Sequence, residues 1–97
     1  MSRVVLAPLS SEQLVIDATV GGKALTMAKY AGATKAIIQV STAPIRITVD
    51  TATLTSSYGL YLDDTDIITL ESIEEITDFR AIRATGVSSV LNIIYYG

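Results

Sequence analysis

The sequence contains no cysteine and no histidine. Without cysteine, neither disulfides nor thiolate zinc sites can form, and cysteine usage gives no reading of compartment. Without histidine, the chain lacks the commonest general base and the commonest transition-metal ligand, and a Ser-His-Asp triad is excluded. Trp is also absent, Phe occurs once and Pro twice. The core must therefore be mainly aliphatic, and the five Tyr are expected at margins where a hydroxyl reaches water. No apolar run approaches the roughly 20 residues of a membrane-spanning helix. The start, Met1-Ser2-Arg3 with few apolar residues before Pro8, is too short for a secretory signal, which implies synthesis in the cytosol.

Charge is sparse and unevenly placed. The net charge is −3, with ten acidic residues against seven Lys and Arg. Asp63, Asp64, Asp66, Glu71, Glu74, Glu75 and Asp78 fall in one stretch that contains no Lys or Arg. This pattern reads either as a solvated rim of loops and short strands or as one half of a complementary contact between copies.

What is abundant is β-forming sequence. Hydrophobic residues make up 49% of the 97 positions, which suits one folded domain hiding about 60–65% of its unfolded surface. The organising stretch is Ala36 to Asp50. Ile37, Ile38 and Val40 form one β-branched run; Ser41 to Pro44 supply turn chemistry; Ile45, Ile47 and Val49 then alternate with Arg46, Thr48 and Asp50. The spacing predicts two consecutive antiparallel strands at the middle of an all-β domain.

Around them, Arg3 to Leu9 reads as an edge strand or as an arm lying on a neighbour, and Gln13 to Val20 as a strand ending at the Gly21-Gly22 turn. Lys23 to Tyr30 reads as a returning hairpin strand, with one or two helical turns as the alternative. A Thr/Ser-rich loop runs from Thr51 to Gly59, long enough for a binding loop or a crossover between sheets. Leu60 to Leu62 and Ile67 to Leu70 are short strands around the Asp63-Asp64-Thr65-Asp66 turn. Ser72 to Thr77 is a helical turn or a bent strand. Phe79 to Ala84 and Ser88 to Tyr96 complete the set. In the closing strand, Leu91, Ile93 and Tyr95 share one face and Val90, Ile94 and Tyr96 the other, so both faces are expected to be covered. About eight short strands at near-regular spacing predict an antiparallel β-sandwich over residues 12–97, preceded by an N-terminal arm or edge strand over residues 1–11.

Reactive constellations are missing. The acidic turn at residues 63–66 lacks the alternating ligands, central Gly and distal Glu of a calcium loop, and reads as a structural turn. Glu74 and Glu75 are adjacent and would point to opposite faces of a strand, which is unsuited to paired-carboxylate glycoside chemistry. No Gly-rich phosphate loop occurs. Arg80 and Arg83 fall on opposite faces of the strand expected there and form no stripe with Arg46 and Lys35, so nucleic-acid binding is not expected. Neither a cofactor nor a metal is expected, and the chain reads as non-enzymatic.

Three pieces, in order, carry a family resemblance. They are Ala33-Thr34-Lys35-Ala36-Ile37-Ile38-Gln39-Val40; Ala43-Pro44-Ile45-Arg46 leading to Asp50; and Asp78-Phe79-Arg80-Ala81-Ile82-Arg83-Ala84 with the ending Leu91-Asn92-Ile93-Ile94-Tyr95-Tyr96. Over Tyr30 to Tyr96 the chain resembles the small β-sandwich virion proteins of tailed bacteriophages, which include capsid decoration, or cement, proteins. It departs from that pattern in having Thr51-Ala52-Thr53 after Asp50, and Thr65-Asp66 where Gly-Asp is usual.

The resemblance implies a jelly-roll-like architecture and a structural protein that binds and reinforces the capsid exterior as a homo-oligomer. Its partners would be the major capsid protein or other virion proteins, with no nucleic acid and no membrane. It would be made in the host cytoplasm and located in the virion. The alternatives are a tail, baseplate or head–tail connector component, and a carbohydrate-binding module stacking sugars on Tyr58, Tyr61, Tyr95 or Tyr96. The candidate interface residues are Arg3, Val5, Leu6 and Leu9 in the N-terminal segment, Arg46, Leu54 and Tyr58 around the central strand and its loop, and Arg80, Tyr95 and Tyr96 in the last strands. Removing Met1 to Ser10 is expected to weaken assembly and spare the fold.

Overall fold

A computed structural model of the chain describes residues 7–19, 21–50, 55 and 59–97. Among these residues eight strands form two four-stranded antiparallel sheets. The strands are β1 (Pro8–Ile16), β2 (Lys23–Ala24), β3 (Lys35–Ser41), β4 (Ile45–Thr48), β5 (Leu60–Leu62), β6 (Ile67–Leu70), β7 (Arg80–Arg83) and β8 (Ser89–Tyr96). One sheet has the order β1-β8-β3-β6 and the other β2-β7-β4-β5. The pairing is nested: β1 with β8, β2 with β7, β3 with β6 and β4 with β5. The further pairs β3 with β8 and β4 with β7 complete each sheet. The chain is thus a long hairpin of four strand pairs wrapped alternately into two layers, which is the jelly-roll arrangement. The expected all-β sandwich is what the chain forms.

The core lies between the layers, where period-2 alternation puts every second side chain. From the first sheet it takes Ile16, Ala36, Ile38, Val40, Leu70, Leu91, Ile93 and Tyr95, and from the second Ile45, Ile47, Leu62 and Ala81. Among the described residues two short helices lie at the same end of the sandwich, one leading into β3 and one following β6, where Ala36 pairs with Leu70. α1 (Met27–Tyr30) buries Tyr30, and α2 (Ile73–Asp78) buries Ile76, followed by a fully buried Phe79. Ser72 caps α2: its hydroxyl accepts from the Glu75 amide at 3.2 Å, while the Glu75 carboxylate accepts from the Glu71 amide at 2.8 Å. This is a capping-box pattern displaced by one residue.

Several local expectations are corrected. β3 and β4 do not pair with each other; they belong to different sheets, and the connection between them is a corner. Thr42 takes a positive φ of 82° there, and its amide donates to the Asp64 carboxylate at 3.0 Å, which turns the chain across the sandwich. β4 also ends at Thr48, so Asp50 lies beyond the strand, where its carboxylate accepts from the Thr48 hydroxyl at 2.6 Å. Residues 23–30 are not a returning hairpin. Lys23 and Ala24 cross to the opposite sheet to pair with β7, and one helical turn follows.

The first strand begins earlier than expected and runs through the Ser10-Ser11 pair, its ladder extended by mutual bonds between Ala7 and Gly97. β1 is an edge strand. The register slips between Pro8 and Ser10, making Leu9 the extra residue of a bulge. A bulge beside a proline on an edge strand is a combination that discourages further strand addition.

Candidate functional site

Three surface or end regions concentrate polar chemistry. At one end of the sandwich, Glu12 reaches over the core from β1. Its carboxylate accepts from the Tyr95 hydroxyl at 2.5 Å, from the Thr26 hydroxyl at 2.6 Å and from the Thr26 amide at 3.3 Å. Thr26 precedes α1, and its side chain serves Glu12 instead of capping the helix. The Tyr30 ring lies 6.2 Å from that of Tyr95 at an interplanar angle of 56°. Burial raises the Tyr95 pKa well above the ordinary phenol value, and the bond to the Glu12 carboxylate and its charge raise it further. The phenol is therefore held neutral as a hydrogen-bond donor. The network ties β1, β8 and α1 together and presents no free nucleophile.

At the opposite end, the acidic turn between β5 and β6 turns its carboxylates on its own and neighbouring backbone. Asp66 accepts from the Asp63 amide at 2.8 Å, Asp63 from the Asp64 amide at 2.8 Å, and Asp64 from the Thr42 amide at 3.0 Å. The amide of Thr65, itself at a φ of 75°, donates to the Val40 carbonyl at 2.8 Å. Among the described residues no group of three or more His, Cys, Asp and Glu is placed to hold a metal ion.

The two outer sheet faces differ in chemistry. On the second sheet, Arg46 sits between Ile82 and Tyr61 in the ladder. Its guanidinium carbon lies 5.3 Å from the Tyr61 ring centroid, within cation–π range, and its Nη1 donates to the Gly59 carbonyl at 2.9 Å. Arg80 lies on the same face, two positions from Ile82 along β7, and donates to the carbonyls of Thr77 and Phe79 at 3.0 and 2.7 Å.

On the first sheet, cross-strand rows present Val15 beside Val90, Ile94 beside Ile37, and Asn92 beside both Gln13 and Gln39. Gln13 donates to Asn92 at 3.0 Å. Val15 is 54% exposed, Ile94 43% and Ile67 60%. The charged residue of these rows is Lys35, at the rim opposite Tyr96. Outward positions of a half-exposed sheet ordinarily carry polar and charged side chains; here Ser11, Ser41 and Thr69 share the rows with the aliphatics and amides, and apart from Lys35 these rows hold no charged side chain.

The interface residues expected from the sequence are distributed as follows. Arg46 and Arg80 come together on the second sheet. Leu9 and Tyr96 meet the first sheet's rim, where Leu9 is 47% exposed and close to Gly32 and Gly97. Tyr95 is corrected: it is fully buried, because β8 is an interior strand between β1 and β3 rather than an edge, and its parity turns it inward. The expectation that tyrosines keep to the margins fails for the same residue and for Tyr30, since Glu12 gives the Tyr95 hydroxyl a partner inside. Tyr95 is thereby lost as a sugar-stacking platform, and one face of Tyr61 is occupied by Arg46. Arg3, Val5, Leu6, Leu54 and Tyr58 lie outside the described residues. The face formed by Val15, Ile67 and Ile94 was missed as a unit. Its one sequence signal was the apolar residues on both parities of Ser88 to Tyr96.

Compared with protein-family models, with curated proteins and with solved structures, the chain has no match.

Proposed function

We propose that this chain is a non-enzymatic structural protein of a tailed-phage particle, binding and reinforcing the capsid exterior as a homo-oligomer. A binding role is carried by one observation: the outer face of the first sheet exposes Val15, Ile67 and Ile94 where solvent-facing charge is ordinary. The assignment to a virion rests on the resemblance in residues 30–96. It is supported by analogy between folds, because jelly rolls recur in viral capsid proteins, as they also do in lectins and cupins. A shell repeats the same contact over many symmetric copies, so individually modest interfaces sum to firm attachment. An inert body with a sticky face suits that use.

The test is direct. Purified protein is mixed with undecorated shells of the phage that carries the gene, co-sedimented, and imaged by electron microscopy. Regular added density on the shell exterior is expected. Absence of shell binding, with labelled protein found in the tail of intact virions, overturns the capsid assignment in favour of a tail or connector component. A companion truncation should remove residues 1–6 only, because a cut to Ser10 would also remove part of β1.

A further inference from the structure

We propose that the outer face of the first sheet is the surface by which two copies of this chain associate, sheet against sheet about a two-fold axis. The inference deepens the homo-oligomeric reading above and rests on it; it is independent of where in a particle the protein sits.

The face has a simple layout. Val15 on β1, Val90 and Ile94 on β8 and Ile37 on β3, with Ser11, Ser41 and Thr69 among them, flank a central row in which Gln13, Asn92 and Gln39 lie abreast on β1, β8 and β3. Ile67, on β6, extends that row to the far edge at Gln39. Lys35 brings a charge only to the rim. A nucleic acid or an anionic lipid surface needs a cluster of cations, which this face does not offer. A charged protein partner would have to leave its own charges desolvated against aliphatic rows.

A second copy meets neither obstacle. It brings matching aliphatic rows, and its primary amides are both donors and acceptors, so the amide row can pair with itself after a two-fold rotation, as an isologous contact requires. Size sets the strength. Four strands about 4.8 Å apart and about seven residues of about 3.4 Å give a footprint of roughly 450 Å² per copy. The roughly 900 Å² total falls short of the roughly 1,000 Å² that a stable specific interface clears, in the range of weak and transient contacts. The free pair is therefore a weak dimer that a symmetric assembly strengthens.

Full-length protein is examined by sedimentation velocity from micromolar to millimolar concentration. A reversible shift from monomer to dimer is expected. Ile94→Lys should raise the dissociation constant by at least about tenfold while circular dichroism and melting temperature stay near those of the parent. Val87→Lys, at an exposed position outside the strands, should change nothing. The native chain has no cysteine, so Asn92→Cys gives a single thiol. Facing sheets stack about 10 Å apart, and a short bis-maleimide should then yield a covalent dimer. A protein that stays monomeric throughout, or a dimer that Val87→Lys disrupts and Ile94→Lys does not, overturns the proposal. Shell binding is not read in these experiments, so a failure of the capsid reading leaves this result distinguishable from it.

Discussion

The Tyr95 hydroxyl donates to the Glu12 carboxylate at 2.5 Å, joining the closing strand to the opening one across 83 positions of sequence. Glu12 also holds Thr26, so one carboxylate fastens both the β1–β8 ladder and the entry to α1. Removing the hydroxyl in Tyr95→Phe leaves the carboxylate with fewer donors in a half-covered site. A loss of about 1–3 kcal/mol in unfolding free energy is expected, measured by urea denaturation.

The same residue sets an alkaline limit on stability. Its folded pKa is raised, chiefly by burial and then by Glu12, whereas in the unfolded chain a tyrosine ionises near pH 10. Above that pH the unfolded state loses a proton that the folded state retains, so stability is fully present below about pH 10 and falls as pH rises further. Absorbance titration should show one tyrosine that ionises only as the fold is lost. In Tyr95→Phe the alkaline decline should be shallower.

Asp17 acts at the other extreme of pH. Its pKa is lowered first by the Thr19 hydroxyl, then by the Thr19 amide, with a smaller effect of Lys23. A depressed carboxylate contributes stability above its unfolded pKa and loses it as pH falls through the folded value. An NMR titration should place the Asp17 midpoint below the ordinary value near 3.9, and Thr19→Val should move it upward.

The cap on α2 should matter more than its exposure suggests. Ser72→Ala deletes the acceptor for the Glu75 amide and is expected to destabilise by about 1 kcal/mol, read as a lowered thermal midpoint. Ser72→Asp should retain most of the stability, because aspartate also caps and favours the helix N-terminus.

Thr42 and Thr65 hold positive φ angles of 82° and 75°, a region costly for β-branched side chains. Thr65→Gly should stabilise the protein by about 0.5–1 kcal/mol, the relief of strain exceeding the added chain entropy of glycine. Its amide bond to Val40 is unaffected by the change. A lowered melting temperature would instead show that the threonine side chain makes a compensating contact.

Much of the fold was legible locally. Leu60 to Leu62, flanked by turn residues, and Ile67 to Leu70, rich in β-branched residues, are strands as their sequences indicate, and the acidic tetrapeptide between them is a turn. In Lys23 to Tyr30 the helical turn was one of two readings, but the crossing strand was not legible, because a two-residue strand leaves no period to read and its pairing with β7 is remote. The candidate surface was half legible: apolar residues on both parities of β8 signalled a second apolar face, which the fold leaves exposed at Ile94. Its partners Val15, Ile37 and Ile67 enter that face only through cross-strand register.

By itself, then, the sequence determined the all-β class, an aliphatic core, and the lack of thiol and imidazole chemistry, because these follow from composition and from two-residue alternation along single strands. Only the tertiary structure decided that β3 and β4 separate into different sheets, that Tyr95 is core while Tyr96 faces out, and that four distant strands assemble one uncharged face. Alternation tells a strand that it has two sides. Which strand lies beside it, and in what register, is settled by long-range ladders that no local window contains.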